Sequence, residues 1–290
     1  MRVIATVALL GVTAVWGWTF VIVRDAVAVW GVVSFLAVRF SIAAASATAV
    51  WGHRLDRGTL RVGGAIGLVL AAGYLLQTWG LTHTTATNAG LITGLFVVLA
   101  PIADRVLNGV VLHRIAWLAV LLSLIGMTML TGRLPTDFAL GDILVLGCAV
   151  AFGIHIALLS RYAPIHDPRA LTVAQMLGIA VVFLVMWPFV DSVEPPPHEV
   201  WFALALTGLA ASTIAYAVQT WAQRHLSAAR TAVILTTEPM FAALFGILLA
   251  GERLGPLQAA GAGLILCAVS MSETVPALIA QRQHSNPDHS

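Results

Sequence analysis

The sequence contains no lysine, and charged residues of either sign make up only 10% of it. Ordinary soluble domains carry about 25%. That shortage excludes a soluble enzyme and a disordered chain. It also excludes a nucleic-acid binder, because 15 basic residues, all arginine, against 13 acids leave a net charge of +2, too small for a basic binding face. Two cysteines, Cys148 and Cys267, give no disulfide framework, and each sits in an apolar run where it reads as core packing. No Cys/His cluster has ligand spacing, so neither a metal nor another cofactor is expected. Gly-x-Ser-x-Gly, His-Glu-x-x-His and a Gly-rich phosphate loop are all missing, which argues against an enzyme and against direct ATP drive.

What is abundant is apolar length: 59% of the 290 residues are hydrophobic. A hydrocarbon core of ~30 Å takes about 20 apolar residues per helical span. Ten apolar runs fall near 4–23, 29–51, 62–82, 87–107, 115–131, 140–160, 170–190, 200–222, 231–250 and 256–275. They are solidly apolar rather than alternating, which excludes a membrane β-barrel. The expected class is all-α integral membrane, with ten transmembrane helices. The first run is followed by a small-x-small pattern at Ala26-Val27-Ala28, but Arg24 and Asp25 interrupt it, so the run reads as a span and not a signal peptide.

With the N-terminus cytoplasmic, that side holds Arg2, Arg54, Arg57, Arg61, Arg114, Arg161, Arg169, Arg224, Arg230 and Arg282, and the other holds Arg24, Arg133 and Arg253. This positive-inside bias predicts both termini cytoplasmic. The all-arginine, alanine-rich composition suggests a bacterial chain, hence a bacterial cytoplasmic (inner) membrane. Residues 277–290 are polar and read as a disordered cytoplasmic tail.

The chain repeats itself. Tyr74, Gln77, Thr78, Trp79 and His83 recur in register as Tyr216, Gln219, Thr220, Trp221 and His225, 142 residues on. Further along, Pro101 matches Pro239. Near the start of each half, Gly17 matches Gly153, Thr19 matches His155 and Arg39 matches Gln175, at a spacing of 136. Two five-helix units follow, 1–134 and 138–276. Five is odd, so the second enters the membrane upside down, the inverted duplication found in many transporters.

At this point the sequence resembles the drug/metabolite transporter superfamily, specifically its ten-helix EamA branch, over essentially 1–275. The matching features are Val15-Trp16-Gly17, Arg39-Phe40, Thr87-Asn88-Ala89 with Pro101 beyond it, Glu238-Pro239 and Gly251-Glu252-Arg253-Leu254. His113-Arg114 stands where the second half has Gly251-Glu252, a departure from the pattern. The resemblance implies a cavity near the membrane midplane, lined by spans 1, 3, 4, 6, 8 and 9. It also implies efflux of amino acids, nucleosides or related polar metabolites, with import in some members.

Polar residues at membrane depth need an explanation, because a charge at a helix centre costs ~2.5–3.5 kcal/mol on insertion scales. Gln77 and Gln219 are the leading substrate-binding candidates, with Tyr74 and Tyr216 one helical turn earlier on the same face. The competing reading makes these residues structural bridges between spans 3 and 8. Trp16 and Thr19 in the first span, Asn88 at the start of the fourth and His155 in the sixth complete the set. His155 reads as a satisfied core residue or, as the competing reading, as a group that titrates and couples transport to protons. Trp79 and Trp221 read as interface anchors.

Glu238, Arg39, Pro101 and Pro239 are candidates for coupling or gating. Pro239 cannot bond the carbonyl of Leu235, and a carboxyl beside it can hold an ammonium or a proton. Arg39 can bind a carboxylate or pair with Glu238. Asp104 and Arg105 read as snorkelling to the interface. Gly63-x-x-x-Gly67 and Gly90-x-x-x-Gly94 read as close-packing pairs.

The leading expectation is a secondary transporter that exports small polar metabolites by alternating access. The alternatives are an importer, or a membrane-embedded sensor or lipid-handling protein. Expected partners are a small-molecule substrate, the lipid bilayer and, as a candidate coupling ion, protons. Nucleic acid is not among them, and the chain is expected as monomer or homodimer.

Overall fold

The computed structural model describes residues 1–84, 86–111, 114–131, 140–238, 240–241, 244 and 255–285. All regular structure among them is helical. In chain order it comprises α1 (Arg2–Trp30), α2 (Val32–Trp51), α3 (Arg57–Leu81), α4 (Ala86–Thr93), α5 (Phe96–Asn108), α6 (Arg114–Thr131), α7 (Leu140–Tyr162), α8 (Pro168–Val190), α9 (Trp201–Ala205), a π-helical stretch Leu206–Ile214, α10 (Ala215–Ala222), α11 (Ala228–Leu235) and α12 (Pro256–Ser285), with two short 3₁₀ turns. The helix of α12 continues past Ala277, where a polar tail is expected to begin.

Six segments among the described residues are long and apolar enough to cross a bilayer: Arg2–Thr19, Val32–Arg54, Arg57–Leu81, Leu140–Tyr162, Pro168–Val190 and His198–Ala222. Two more, Arg114–Met129 and Pro256–Ala268, are shorter apolar helices. The other two expected spans are interrupted. In the fourth run, α4 stops at Thr93 and α5 starts at Phe96, with the three-residue turn bonds Leu95 N–H to Ile92 C=O and Val97 N–H to Gly94 C=O between them. In the ninth, α11 stops at Leu235 and Thr237 N–H closes a turn on Ile234 C=O. Gly94-Leu95 and Thr236-Thr237 are 142 residues apart, whereas Pro101 and Pro239 of the same two runs are 138 apart, so the breaks fall in matching runs but four residues out of register with the prolines. Broken helices at corresponding places are a feature of transporter folds, because irregular backbone is tolerated at depth only where protein or a cavity satisfies it.

The surface is apolar and the interior carries polar groups. Leu68, Val185 and Phe189 are 55%, 61% and 84% exposed, while Arg39, His155, Gln175 and Gln219 are buried. Water as surroundings would reverse that distribution; hydrocarbon accounts for it.

Helix α2 runs antiparallel to α8, held at both ends. Asp191, at the C-terminus of α8, accepts from the N–H groups of Val33 and Ser34 at 2.8 and 2.9 Å and so caps α2. Gly31, with φ 89°, turns the chain there, and a Cβ on it would lie 2.9 Å from the Asp191 carboxylate. At the other end Arg54 reaches Asp167, which caps its own helix α8, at 3.4 Å. Against the other side of α8 packs α3, where a Cβ on Gly67 would lie 2.5 Å from the backbone oxygen of Gln175. The Gly63–Gly67 pair therefore permits close packing as expected. Gly94 does the same against Met127, whereas nothing among the described residues lies within 4 Å of where a Cβ on Gly90 would be.

Candidate functional site

Several of the polar residues at depth converge on one cavity of about 70 Å³. Trp16, Thr19 and Val23 come from α1, Tyr74, Gln77, Thr78 and Leu81 from α3, and Thr93 and Phe96 from the two sides of the first break. Phe152, His155 and Ile156 come from α7, Tyr216 and Gln219 from α10, and Leu235 and Glu238 from the second break. These are the six spans implied by the resemblance. Arg39 of α2 is an addition to them.

Helical spacing explains the convergence: Tyr74, Gln77, Thr78 and Leu81 sit three, four and seven residues apart on one stripe. Two hydroxyls meet across the repeat. Tyr216 donates to Tyr74 at 2.8 Å, and Arg39 Nη2 donates to the same Tyr74 oxygen at 3.3 Å. Arg39 Nε donates to Ser212 at 3.1 Å, and its guanidinium lies 4.6 Å from the Tyr74 ring centre and 5.0 Å from that of Phe40. The tyrosines thus bridge α3 and α10, as the structural reading has them, and also line the cavity.

An Arg39–Glu238 ion pair does not form. The ion pairs among the described residues are Arg24–Asp25 and Arg54–Asp167. Hydroxyls and aromatic faces surround the guanidinium instead, so no side-chain carboxylate neutralises it within that set.

Trp16 is fixed by its indole N–H, which donates to Ala211 C=O at 2.8 Å, and its ring stands 5.5 Å from Tyr216. Ala211 lies in the π-helical stretch, a distortion that recurs at functional sites. Thr19 bonds back to Trp16 C=O at 2.9 Å. His155 Nε2 lies 2.8 Å from Gln175 Oε1, which only accepts, so Nε2 carries the proton. Gln175 Nε2 in turn donates to Leu171 C=O and Thr220. This favours the satisfied-core reading of His155, although its ring edge still lines the cavity.

The two glutamines differ. Gln77 Nε2 donates to Thr93, beside the first break, at 3.3 Å. Gln219 Nε2 donates to Gln223 at 3.1 Å, while its carbonyl oxygen is buried without a partner among the described residues.

Several expectations fall elsewhere. Pro101 is buried inside α5 and is not part of the cavity wall. Pro239 and the side chain of Asn88 lie outside the described residues. So do Gly251, Glu252, Arg253 and Leu254. Trp79 is 41% exposed, and neither it nor Trp221 lines the cavity. Asp104 does not snorkel: it is buried and accepts from Asn108 Nδ2 at 2.6 Å, which leaves Arg105 alone exposed. Cys148 is buried as expected, whereas Cys267 is on the outside.

Sequence reasoning passed over Gln223, Ser212, Thr93 and Phe152. Gln175 was visible as the repeat partner of Arg39, and Thr220 as that of Thr78. Gln223 is a mismatch in the repeat, with Leu81 at its equivalent place.

Comparison with known proteins gives three findings. The sequence model of the EamA-like transporter family matches residues 3–132 and 139–274. A protein of Archaeoglobus fulgidus named an uncharacterized transporter is 35% identical over 268 residues, 92% of this chain and 85% of its own length; a second protein of that name from the same organism is 25% identical over 189 residues. A crystal structure of a protein 19% identical superposes with a TM-score of 0.78 over 97% of this chain and 99% of that one, which speaks for the fold.

Proposed function

The chain belongs to the EamA-like transporter family, and from that premise we propose that it exports small polar metabolites, amino acids among them, by alternating access. The observation that carries this reading is the cavity itself. Repeat-related residues from both halves, Tyr74 with Tyr216 and Gln77 with Gln219, line it beside two helix breaks. A site shared by two copies of one unit serves either side in turn when the copies exchange shapes.

The duplication is read as ten spans in two inverted five-helix units. The antiparallel run of α2 and α8, which occupy equivalent places in the halves, supports it. So do the two separate stretches matched by the family. At about 70 Å³ the cavity holds roughly five water-sized groups in this state. Glu238 sits beside the second break and is the proposed proton-coupling group. The setting is the bacterial inner membrane, with both termini cytoplasmic.

The test is the spent-medium metabolite profile of bacteria expressing the protein, against an empty vector and a Gln77→Ala/Gln219→Ala variant at equal level. A compound enriched outside only with the intact protein is the expected result. Equal enrichment with the variant would keep export and remove the glutamines from the path. No enriched compound would count against export.

A further inference from the structure

The two repeat-related glutamines do not do the same thing, and a backbone carbonyl decides which way one of them faces. Gln223 Nε2 donates to Ile156 C=O at 2.8 Å. That carbonyl can only accept, so it fixes the NH₂ end of Gln223 toward α7 and turns the Gln223 oxygen toward Gln219. Gln219 must then present its own NH₂, which it does at 3.1 Å. What remains of Gln219 is its carbonyl oxygen and the second N–H of its amide, and the oxygen is the end turned away from Gln223. It is buried, unpartnered among the described residues, and belongs to a side chain lining the cavity. Amide orientation is ordinarily an assignment made from the surrounding network; here one carbonyl determines two amides in series.

Gln219 and Gln223 are one helical turn apart, which is what lets the relay form. In the first half Leu81 stands at the equivalent place, so Gln77 has no such partner and turns its NH₂ to Thr93 instead.

We infer that the relay from Ile156 through Gln223 to Gln219 gives the second half of the cavity an acceptor end, which selects solutes bearing an ammonium group. Glu238 lines the same cavity and is a second acceptor there. An unpaired buried acceptor is unfavourable, and a donor on the solute relieves it, whereas a solute carbonyl at the same place does not. Gln223 is on this account a positioning residue. The inference rests on the transporter reading above.

The experiment uses the purified protein in liposomes loaded with radiolabelled matched pairs that differ only in amine against keto group: glycine with glyoxylate, alanine with pyruvate, glutamate with 2-oxoglutarate. The intact protein is expected to release the amine of at least one pair roughly tenfold faster than its keto partner. Gln223→Met, which frees Gln219 to rotate, is expected to bring that ratio within about twofold. Gln223→Glu is expected to keep it, because a protonated carboxyl donates to Ile156 and accepts from Gln219 as the amide does. Should Gln223→Met fail to reach the membrane, Gln219→Met, which deletes the acceptor, must show the same loss. Equal release of both members by the intact protein, or an unchanged ratio in Gln223→Met, overturns the inference alone. Release of none of these solutes overturns it together with the amino-acid part of the export reading.

Discussion

Arg39 is the buried guanidinium among the described residues, and its surroundings define what it can do. Two of its N–H groups are held by Ser212 and Tyr74, and its flat face lies against two rings. Lysine has neither the planar fork nor the stacking face. Arg39→Lys is therefore expected to lower stability by about 1–3 kcal/mol, read as a lower thermal midpoint in detergent; an unchanged midpoint would show that the two bonds contribute nothing. Between the ends of α2 and α3, the surroundings of Asp56 bear on its titration. The hydroxyl of Thr59, followed by its backbone N–H, holds the Asp56 carboxyl below its ordinary 3.8. A lowered carboxyl stabilises the fold above that ordinary value, and the contribution is lost as pH falls through the lowered one. The stability gap between the wild type and Asp56→Asn should accordingly close on acidification below 3.8; a gap that persists would sink the assignment. The main cavity residues were legible in the sequence because a polar side chain in an apolar run needs a reason to be there. Gln223 was not, because it lies at a helix end where polarity is ordinary, and only the fold brings it to Ile156.

Helices meet here through devices that sequence periodicity does not carry. The caps on α2 come from Asp191, 157 or more residues distant, and no local signal joins them. Asp191→Ala removes three hydrogen bonds to Val33 and Ser34, and should cost about 1–2 kcal/mol. Arg54→Ala at the opposite end breaks only an exposed ion pair and should cost under about 1 kcal/mol. Thermal unfolding of the two variants side by side checks the order, and the reverse order would mean that the clamp works from the other end. Gly67→Ala is the packing counterpart. Its new methyl meets a backbone oxygen of α8, which cannot rotate away, so a loss of about 1–3 kcal/mol is expected in the same assay. The π-helical stretch was equally invisible to sequence reasoning, since Leu206–Ile214 has ordinary helical composition. Its irregularity accompanies tertiary bonds: Trp16 to Ala211 C=O, Arg39 to Ser212, Thr213 to Ala43 C=O.

At the scale of the molecule, contacts between distant loops restrict how often the chain crosses the bilayer. Arg54 touches Asp167, so those loops share a face and an even number of crossings separates them. Val33 and Ser34 touch Asp191, so the same holds for that pair on the opposite face. Between Arg54 and Asp167 lie α3, the broken pair α4–α5, α6 and α7. With α3, α6 and α7 each crossing once, the count is even only if α4 and α5 together make one crossing. The ten-span reading accordingly requires the interrupted fourth run to be a single broken span, and the arginine bias predicts a cytoplasmic Arg54 face. Single cysteines in a background lacking Cys148 and Cys267 test this with an impermeant maleimide on intact cells. Glu194→Cys should label from outside, while Arg57→Cys and Arg169→Cys should label only after lysis. Arg57→Cys and Arg169→Cys on opposite faces would break the parity, and with it the single broken span. All three on one face would mean that α8 does not cross. A uniform reversal would keep every helix and overturn only the orientation, because parity comes from side-chain contacts whereas orientation rests on where the arginines fall.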